Sequence, residues 1–416
     1  MSNLQTDAAR LWGTLMETAA IGGTAKGGIR RLTLTDLDAE VRAWFRRAAE
    51  AAGATVTLDD MGTMFARRGG QRSDVPPIAI GSHLDTQPTG GKFDGCLGVL
   101  ASLEVLRTLA DAGYQTFAPI EAVNWTNEEG ARFSPPMTAS GVFAGVFARD
   151  WAVARTDADG VVLGDALEAI GARGSERCGD HPLSAFFELH IEQGPILEAE
   201  GLDIGAVTGV QGMRWFEVTV TGQDAHTGAT PMHLRKNALL GAARLIEKVE
   251  AIARAHPPLA VATVGSMRVK PNSPNVVPGE VFLTVDIRHP ESAVLEAMEK
   301  ELEAALAEVG APQGLAVAST KIWDQPPVAF DPDCIAAVRG AAEGAGYKVR
   351  DMVSGAGHDA AYVARVAPTA MIFVPCRGGI SHNEAEFTSM EQCAAGAQVL
   401  LQAVLAYDRL LAERYA

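Results

Sequence analysis

The chain has 416 residues, 47% of them hydrophobic and 21% charged, with a formal net charge of -16 at pH 7. This length and composition suit a globular protein with a sizeable core and predict two or three domains. The acidic balance argues against a nucleic-acid or anionic-membrane surface, because both are themselves negatively charged.

The cysteines and the amino terminus favour a cytoplasmic protein. The five cysteines include no Cys-x-x-Cys pair and cannot all form disulfides, so reduced thiols are expected. The first residues lack a basic region followed by an apolar core, and no apolar run approaches the roughly 18 residues of a membrane helix. The sequence therefore predicts neither export nor membrane insertion.

The first half of the chain predicts alternating helices and strands. Thr35 is placed to cap a helix whose apolar residues recur at helical spacing until Gly53, and residues 95–112 predict another helix. Short apolar or alternating runs predict strands at 55–58, 64–66, 78–81, 120–125 and 185–191. This order is typical of an α/β domain in which helices flank a sheet.

A different order of elements begins after Arg214. Residues 215–322 predict strand, helix, strand, strand, helix and strand, which is the order of a ferredoxin-like unit. Glycine and proline mark both of its ends, and a helix, two strands and a long closing helix then resume the first pattern. We therefore predict an α/β fold. A large catalytic domain with a mixed sheet flanked by helices spans residues 1–212 and 326–416, and an inserted ferredoxin-like α+β domain spans residues 213–325.

The loop from Gly81 to Gly95 places His83, Asp85 and Asp94 directly after a predicted strand. Open α/β sheets bind ligands at the carboxyl ends of their strands. His83 can give a ring nitrogen to a divalent metal while Asp85 accepts a hydrogen bond from the other nitrogen. Asp94 has two oxygens, enough to bridge two ions. The alternative is an ordinary polar loop in which Asp94 caps the next helix.

Other predicted strands end in side chains of the same kind. Glu128 and Glu129 follow one strand, His190 ends the next, and His382 follows the last. Adjacent carboxylates are commonly a solvated charge pair, but one can also bind metal while the other acts as a base. Mixed imidazole and carboxylate ligands suit zinc, manganese or cobalt. Two such ions activate water and polarise a carbonyl, so the set predicts hydrolysis with Glu128 as the base.

Six motifs occur in one order along the chain. They are Gly-Ser-His83-Leu-Asp85-Thr, Gly-Gly-Lys-Phe-Asp94-Gly, Thr-Asn-Glu128-Glu129-Gly-x-Arg-Phe, His190-Ile-Glu-Gln193-Gly-Pro, Gly-Ala-Gly-His-Asp-Ala and Ile-Ser-His382-Asn-Glu. With them the sequence resembles, over essentially its whole length, the metal-dependent hydantoinase/carbamoylase amidohydrolases. These are relatives of the di-zinc aminoacylases and carboxypeptidases.

The resemblance implies a site for two divalent ions that share one carboxylate. Its ligands would be His83, Asp94 and His190 for one ion, and Asp94, Glu129 and His382 for the other. Zinc is the first expectation for both ions, with manganese, cobalt or nickel as alternatives. Glu128 would be the general acid and base, and Asp85 would assist beside His83.

The resemblance also implies substrate contacts by Gln193, His226, Asn275 and Arg288, and an inserted domain that acts as a lid and dimer surface. Arg288 could hold a substrate carboxylate through a two-pronged hydrogen bond, supported by Asn275. His226 could hydrogen-bond the oxyanion as the carbonyl becomes tetrahedral. Without that context Arg288 would be a surface ion-pair partner and Asn275 a turn residue.

These observations predict a cytoplasmic, homodimeric amidohydrolase that acts on N-carbamoyl-L-amino acids. It would hydrolyse the ureido C–N bond to the free amino acid, carbon dioxide and ammonia. The alternative substrates are β-ureidopropionate and allantoate, and a further alternative is an N-acyl amino acid or dipeptide. A binding protein that has lost catalysis is a rival of another class, and the complete ligand set with Glu128 argues against it.

Overall fold

A computed structural model of the protein describes residues 3–416. The chain forms two compact units. The first runs up to Gly209 and resumes from Ala329 to Ala416, and the second is Val210–Val328.

The helices alternate with strands along most of the chain. Within residues 3–416 they are α1 (Ala8–Ala19), α2 (Asp36–Ala51), α3 (Cys96–Asp111), α4 (Thr138–Phe143), α5 (Arg149–Val153), α6 (Leu163–Ala169), α7 (Ile196–Glu200), α8 (Ala238–Ala255), α9 (Ser292–Gly310), α10 (Pro332–Gly344), α11 (Asp359–Val363) and α12 (Met390–Arg414). None of these described helices is both long enough and apolar enough to cross a bilayer.

The strands belong to three sheets. Within residues 3–416 they are β1 (Thr55–Leu58), β2 (Met64–Arg68), β3 (Ile78–His83), β4 (Ile120–Trp125), β5 (Ala185–Ile191), β6 (Ile204–Val210), β7 (Gly212–Thr221), β8 (Ala225–His226), β9 (Val261–Lys270), β10 (Val276–Val277), β11 (Glu280–His289), β12 (Ala316–Gln325), β13 (Val328–Ala329), β14 (Val349–Ser354) and β15 (Thr369–Val374).

The large sheet has the strand order β1-β2-β4-β3-β5-β15-β6-β13, with β14 paired to β6. The central run β4-β3-β5-β15 is parallel, whereas β2 and β6 join it antiparallel. The sheet is therefore mixed and helices flank it, so the predicted α/β class is confirmed. Because β4, β3, β5 and β15 run in the same direction, their carboxyl ends meet at one edge of the sheet.

Local sequence explains the helices that cover this sheet. In α2 the side chain of Thr35 accepts a hydrogen bond from the backbone of Asp38, and an apolar stripe faces the core. Ser389 forms a capping box with Gln392 at the start of α12, whose long middle section is buried. The helix α3 is buried on nearly all sides and is accordingly rich in apolar residues.

The second unit has the element order strand, helix, strand, strand, helix, strand, formed by β7, α8, β9, β11, α9 and β12. These strands form an antiparallel sheet of order β12-β7-β11-β9. Alternate residues such as Val218 and Leu283 pack with α8 and α9 on one face of this sheet. The short strands β8 and β10 pair separately. The assignment of this unit as a lid and dimerisation domain stays a prediction.

Candidate metal centre

The carboxyl-terminal edge of the parallel strands gathers the first-unit side chains that the motifs singled out. His83 ends β3, Glu128 and Glu129 follow β4, His190 lies on β5, and His382 follows β15. Four of these side chains, those of His83, Glu128, Glu129 and His190, are buried. His382 is different, because about half of its side chain (52%) is exposed.

His83 and His190 are oriented by backbone carbonyl groups. Nδ1 of His83 lies 2.9 Å from the carbonyl oxygen of Asp85, and Nδ1 of His190 lies 2.9 Å from the carbonyl oxygen of Ile191. A carbonyl can only accept, so each Nδ1 carries a proton and each Nε2 is directed into the site. Gly95 must lack a side chain here, because a Cβ atom would lie 2.3 Å from the His83 ring.

The role predicted for the Asp85 carboxylate is wrong in its detail. Its nearest oxygen lies 3.8 Å from Nδ1 of His83, so the backbone carbonyl of the same residue makes that contact instead. The carboxylate accepts the backbone N–H groups of Glu128 and Glu129 at 3.4 and 3.2 Å. Asp85 therefore holds the two glutamates in place through their backbone.

Asp94 lies between two groups of candidate ligands. Its Oδ1 is 3.6 Å from Nε2 of His83 and 3.2 Å from Nε2 of His190. Its Oδ2 is 3.6 Å from Nε2 of His382, which in turn is 3.4 Å from Oε2 of Glu129. One carboxylate thus faces a different group with each of its oxygens.

These side chains form two candidate metal-binding groups. Nε2 of His83 is buried and makes no hydrogen bond among the described residues, although polar atoms buried in this way are rare without a partner. In each of two groups, His83 with Asp94 and His190, and Asp94 with Glu129 and His382, one donor atom per residue lies within 4.8 Å of the others. A divalent cation bound by these imidazole and carboxylate groups would give Nε2 of His83 a partner.

Glu128 lies beside the first group without belonging to either. Its Oε2 is 3.4 Å from Nε2 of His83, and its side chain is 9% exposed. Burial, together with the negative charges of Asp359 and Glu129, outweighs the attraction of His83 and raises the pKa of Glu128 well above its usual value. A buried carboxyl group with a raised pKa is typical of a group that both takes and returns a proton.

The neighbouring charges also perturb the ligand candidates. Burial and the negative charge of Asp94 raise the pKa of Glu129 to about 8. Burial favours the neutral form of His83, but Glu128 and the other carboxylates outweigh it and raise its pKa well above the usual value. Burial also favours the neutral form of Asp94, but its interactions with His190 and His83 outweigh this effect and lower the pKa of Asp94. Without metal, the site holds protons that a cation would displace.

The side-chain amide of Gln193 contacts Asp94, one of the candidate ligands. Nε2 of Gln193 donates to Oδ2 of Asp94 at 2.8 Å, and its Oε1 is buried without a hydrogen bond among the described residues. Ser381 also donates to Oδ2 of Asp94, at 2.6 Å. Glu386 accepts the backbone N–H groups of Phe93 and Asp94. Neither Ser381 nor Glu386 was singled out from the sequence, because only His382 in their loop carries an evident metal-binding signal.

The predicted substrate residues of the second unit form two local arrangements. The strand pair β8 and β10 places His226 opposite Val276, and the carbonyl of Asn275, just before β10, accepts the backbone N–H of Thr227 at 3.1 Å. Nδ1 of His226 accepts the backbone N–H groups of Gly228 and Ala229 at 3.0 and 3.1 Å. The proton of a neutral His226 ring is therefore on Nε2, which can donate.

Arg288 lies on β11 and is held by an acidic neighbour on the same strand. Its Nε and Nη2 donate to Oδ2 of Asp286 at 3.0 and 2.7 Å. Both side chains are about three-quarters buried. The ion pair orients the planar guanidinium group.

Comparison with known proteins assigns the chain to a family. A model described as peptidase family M20/M25/M40 matches residues 79–406. The chain is 53% identical over 403 residues to the N-carbamoyl-L-amino-acid amidohydrolase of Rhizobium meliloti, covering 97% of each. It is 36% identical over 384 residues to the allantoate amidohydrolase of Bacillus subtilis, covering 92% of this chain and 93% of the relative.

A solved structure agrees with these sequence matches. The crystal structure of a hydantoinase/carbamoylase family amidase from Burkholderia multivorans matches with a TM-score of 0.95 at 56% identity, covering 97% of this chain and 98% of that one. The chain therefore belongs to peptidase family M20/M25/M40. The predicted resemblance to the hydantoinase/carbamoylase amidases is confirmed, and the protein is a hydrolase that acts on amide bonds.

Proposed function

We propose that the protein hydrolyses the ureido C–N bond of N-carbamoyl-L-amino acids to the free amino acid, carbon dioxide and ammonia. The observation that carries this proposal is the position of Asp94, which faces two histidine-containing groups with its two oxygens, while Glu128 lies beside them. The choice of substrate is supported by the name of the relative from Rhizobium meliloti, which is 53% identical.

Two divalent ions are part of this proposal. His83, Asp94 and His190 would hold one ion, and Asp94, Glu129 and His382 would hold the other. Zinc is the metal we expect, with manganese, cobalt or nickel as alternatives, because all of them accept mixed imidazole and carboxylate ligands. When bound, the ions supply Lewis-acid activation of water and of the substrate carbonyl.

Glu128 would transfer the proton of the reaction. In its ionised form it takes a proton from the attacking water and then passes it to the leaving nitrogen of the ureido group. Asp85 supports this role by holding the backbone at Glu128 and Glu129. The buried setting keeps the proton from exchanging freely with bulk water.

Four residues would bind the substrate. Nε2–H of His226 donates to the carbonyl oxygen as negative charge develops on it, and Asn275 lies just before β10, the strand paired with His226. Arg288 binds the α-carboxylate, with its guanidinium plane set by Asp286. The buried Oε1 of Gln193 would accept an N–H of the ureido group, because its own amide nitrogen is committed to Asp94.

We further propose a cytoplasmic homodimer that forms through the second unit. The support for a dimer is that the outer strands β9 and β12 of that unit leave apolar side chains unburied, with Val261, Met267 and Ile322 45–50% exposed. Equilibrium sedimentation tests it, and a monomer at micromolar concentration would contradict it. The free thiols of all five cysteines suit a reducing compartment.

The substrate is tested by ammonia release from metal-loaded protein on N-carbamoyl-L- and D-amino acids, β-ureidopropionate and allantoate. Hydrolysis of N-acyl amino acids is followed in parallel by amine release. We expect the highest kcat/KM on an N-carbamoyl-L-amino acid. A dominant rate on allantoate would favour the second candidate, which the relative from Bacillus subtilis supports. Activity on acyl substrates alone would refute the ureido assignment.

A further inference from the structure

Glu386 is a buried carboxylate in the loop that carries His382, and it contacts the loop that carries Asp94. It follows His382 by four residues and is only 5% exposed. Its own oxygens belong to neither of the two ligand groups that contain Asp94. Its contacts indicate a different role.

The first oxygen of Glu386 binds the backbone of the other loop. Oε1 accepts the N–H groups of Phe93 and Asp94, both at 3.0 Å, across 293 and 292 residues of sequence. These two hydrogen bonds join the carboxyl group of Glu386 to the backbone N–H groups of successive residues in the other loop. They fix the backbone from which the Asp94 side chain projects.

The second oxygen reaches the Asp94 side chain through Ser381. Oγ of Ser381 lies 3.2 Å from Oε2 of Glu386 and 2.6 Å from Oδ2 of Asp94. Its single proton can serve only one of them, and the shorter contact is to Asp94. Ser381 thus lies between Glu386 and Asp94, and it donates to the oxygen of Asp94 that faces His382.

Gly91 leaves the space that this carboxylate occupies. A Cβ atom at position 91 would lie 2.1 Å from Oε1 of Glu386. Because a contact of that length cannot exist, any side chain at position 91 would displace the carboxylate or the loop. The absence of a side chain at position 91 therefore allows Glu386 to reach this loop.

We propose that Glu386 is a positioning residue that sets Asp94 in register with His382 and so determines the affinity of the site for divalent metal. This inference rests on the metal centre in the proposed function. Residues that orient metal ligands commonly change metal affinity by about 10–100-fold when they are replaced. Glu386 acts through Asp94 and needs no contact with an ion or the substrate.

The test is zinc binding to metal-depleted protein, measured as stoichiometry and affinity by competition with a chelator. We expect Glu386→Ala to bind at least one ion about 10–100-fold more weakly than the wild type. Glu386→Gln keeps an acceptor oxygen for both N–H groups, so its affinity should stay within a few-fold of wild type. Gly91→Ala should weaken zinc binding with Glu386 intact, which tests the inference if Glu386→Ala does not fold.

Asp408→Ala is the matched control. Asp408 is also buried and also accepts two backbone N–H groups, from Phe117 and Ala118 at 2.8 Å, but it contacts none of the proposed ligands. It should lose thermal stability and bind zinc as the wild type does. If Glu386→Ala or Gly91→Ala bound zinc with wild-type affinity, the positioning role of Glu386 would be refuted, and the proposed metal centre would stand. A wild-type protein that binds no divalent ion would overturn the proposed metal centre, and the inference with it.

Discussion

Metal binding should release a proton from Glu129, so that affinity rises with pH. Glu129 is buried beside Asp94, and its pKa in the metal-free protein is about 8 against an ordinary value of 4.5. It must ionise to bind a cation. At pH 7 this ionisation costs about 1.4 kcal/mol, and at pH 6 about twice that, because each pH unit below the pKa corresponds to a factor of ten.

The raised pKa of Glu129 affects the metal-free protein in the opposite direction, because its stability falls as the pH rises. Below about pH 4.5 Glu129 is protonated in both the folded and unfolded chain, and its contribution to stability is complete. As the pH rises towards 8 the unfolded chain loses this proton while the folded chain keeps it, so the metal-free protein is destabilised. Added zinc should therefore raise the Tm more at about pH 8 than at about pH 6.

Calorimetric titration of metal-depleted protein with zinc, in buffers of different ionisation enthalpy, measures both the affinity and the protons released. We expect the wild-type Kd to fall, from Glu129 alone, by about tenfold between pH 6 and pH 7 and by about fivefold between pH 7 and pH 8. His83 should add to this slope because its pKa is also raised. Glu129→Gln should release about one proton fewer near pH 7. Equal proton release by Glu129→Gln and the wild type would refute the reasoning.

Substitutions at three residues test the other roles. Glu128→Gln should lower kcat by about 10²–10⁴-fold without changing metal content, and near-normal turnover in metal-loaded protein would remove Glu128 as the base. Arg288→Lys should lower kcat/KM on carbamoyl substrates by the equivalent of about 1.5–3 kcal/mol, whereas an unchanged kcat/KM would exclude a carboxylate contact. Asp85→Ala should lower the free energy of unfolding by about 1–3 kcal/mol in chemical denaturation, because two buried N–H groups lose their acceptor. Asp85→Asn keeps an acceptor oxygen for one of the two N–H groups and should be milder, and equal losses in the two variants would contradict this explanation.

Much of the fold could be predicted from local patterns. The predicted strands at 78–81, 120–125 and 185–191 correspond to β3, β4 and β5, because buried strands leave a strong apolar run between turn residues. The helix α1 and the strand β6 were not predicted. The strand β6 is stabilised by pairing with β15, far away in sequence, and such pairing leaves little local signal.

The candidate ligands could also be predicted, since imidazole and carboxylate groups at the ends of strands stand out in an otherwise apolar run. Their role as ligands stays a proposal. The sequence could not distinguish the two oxygens of Asp94, nor tell that the carbonyl of Asp85, rather than its carboxylate, would contact His83. Those choices differ by a few ångströms and are made by the folded backbone.

The contact between Glu386 and the Asp94 loop could not be predicted from the sequence. The sequence by itself determined the α/β class, the order of the elements and the residue types able to bind metal, because these depend on periodicity and on side-chain chemistry. Only the tertiary structure decided that Glu386 meets Asp94 across 292 residues and that Gly91 leaves room for it. Contacts of this kind depend on how distant loops pack, and neither loop carries that information alone.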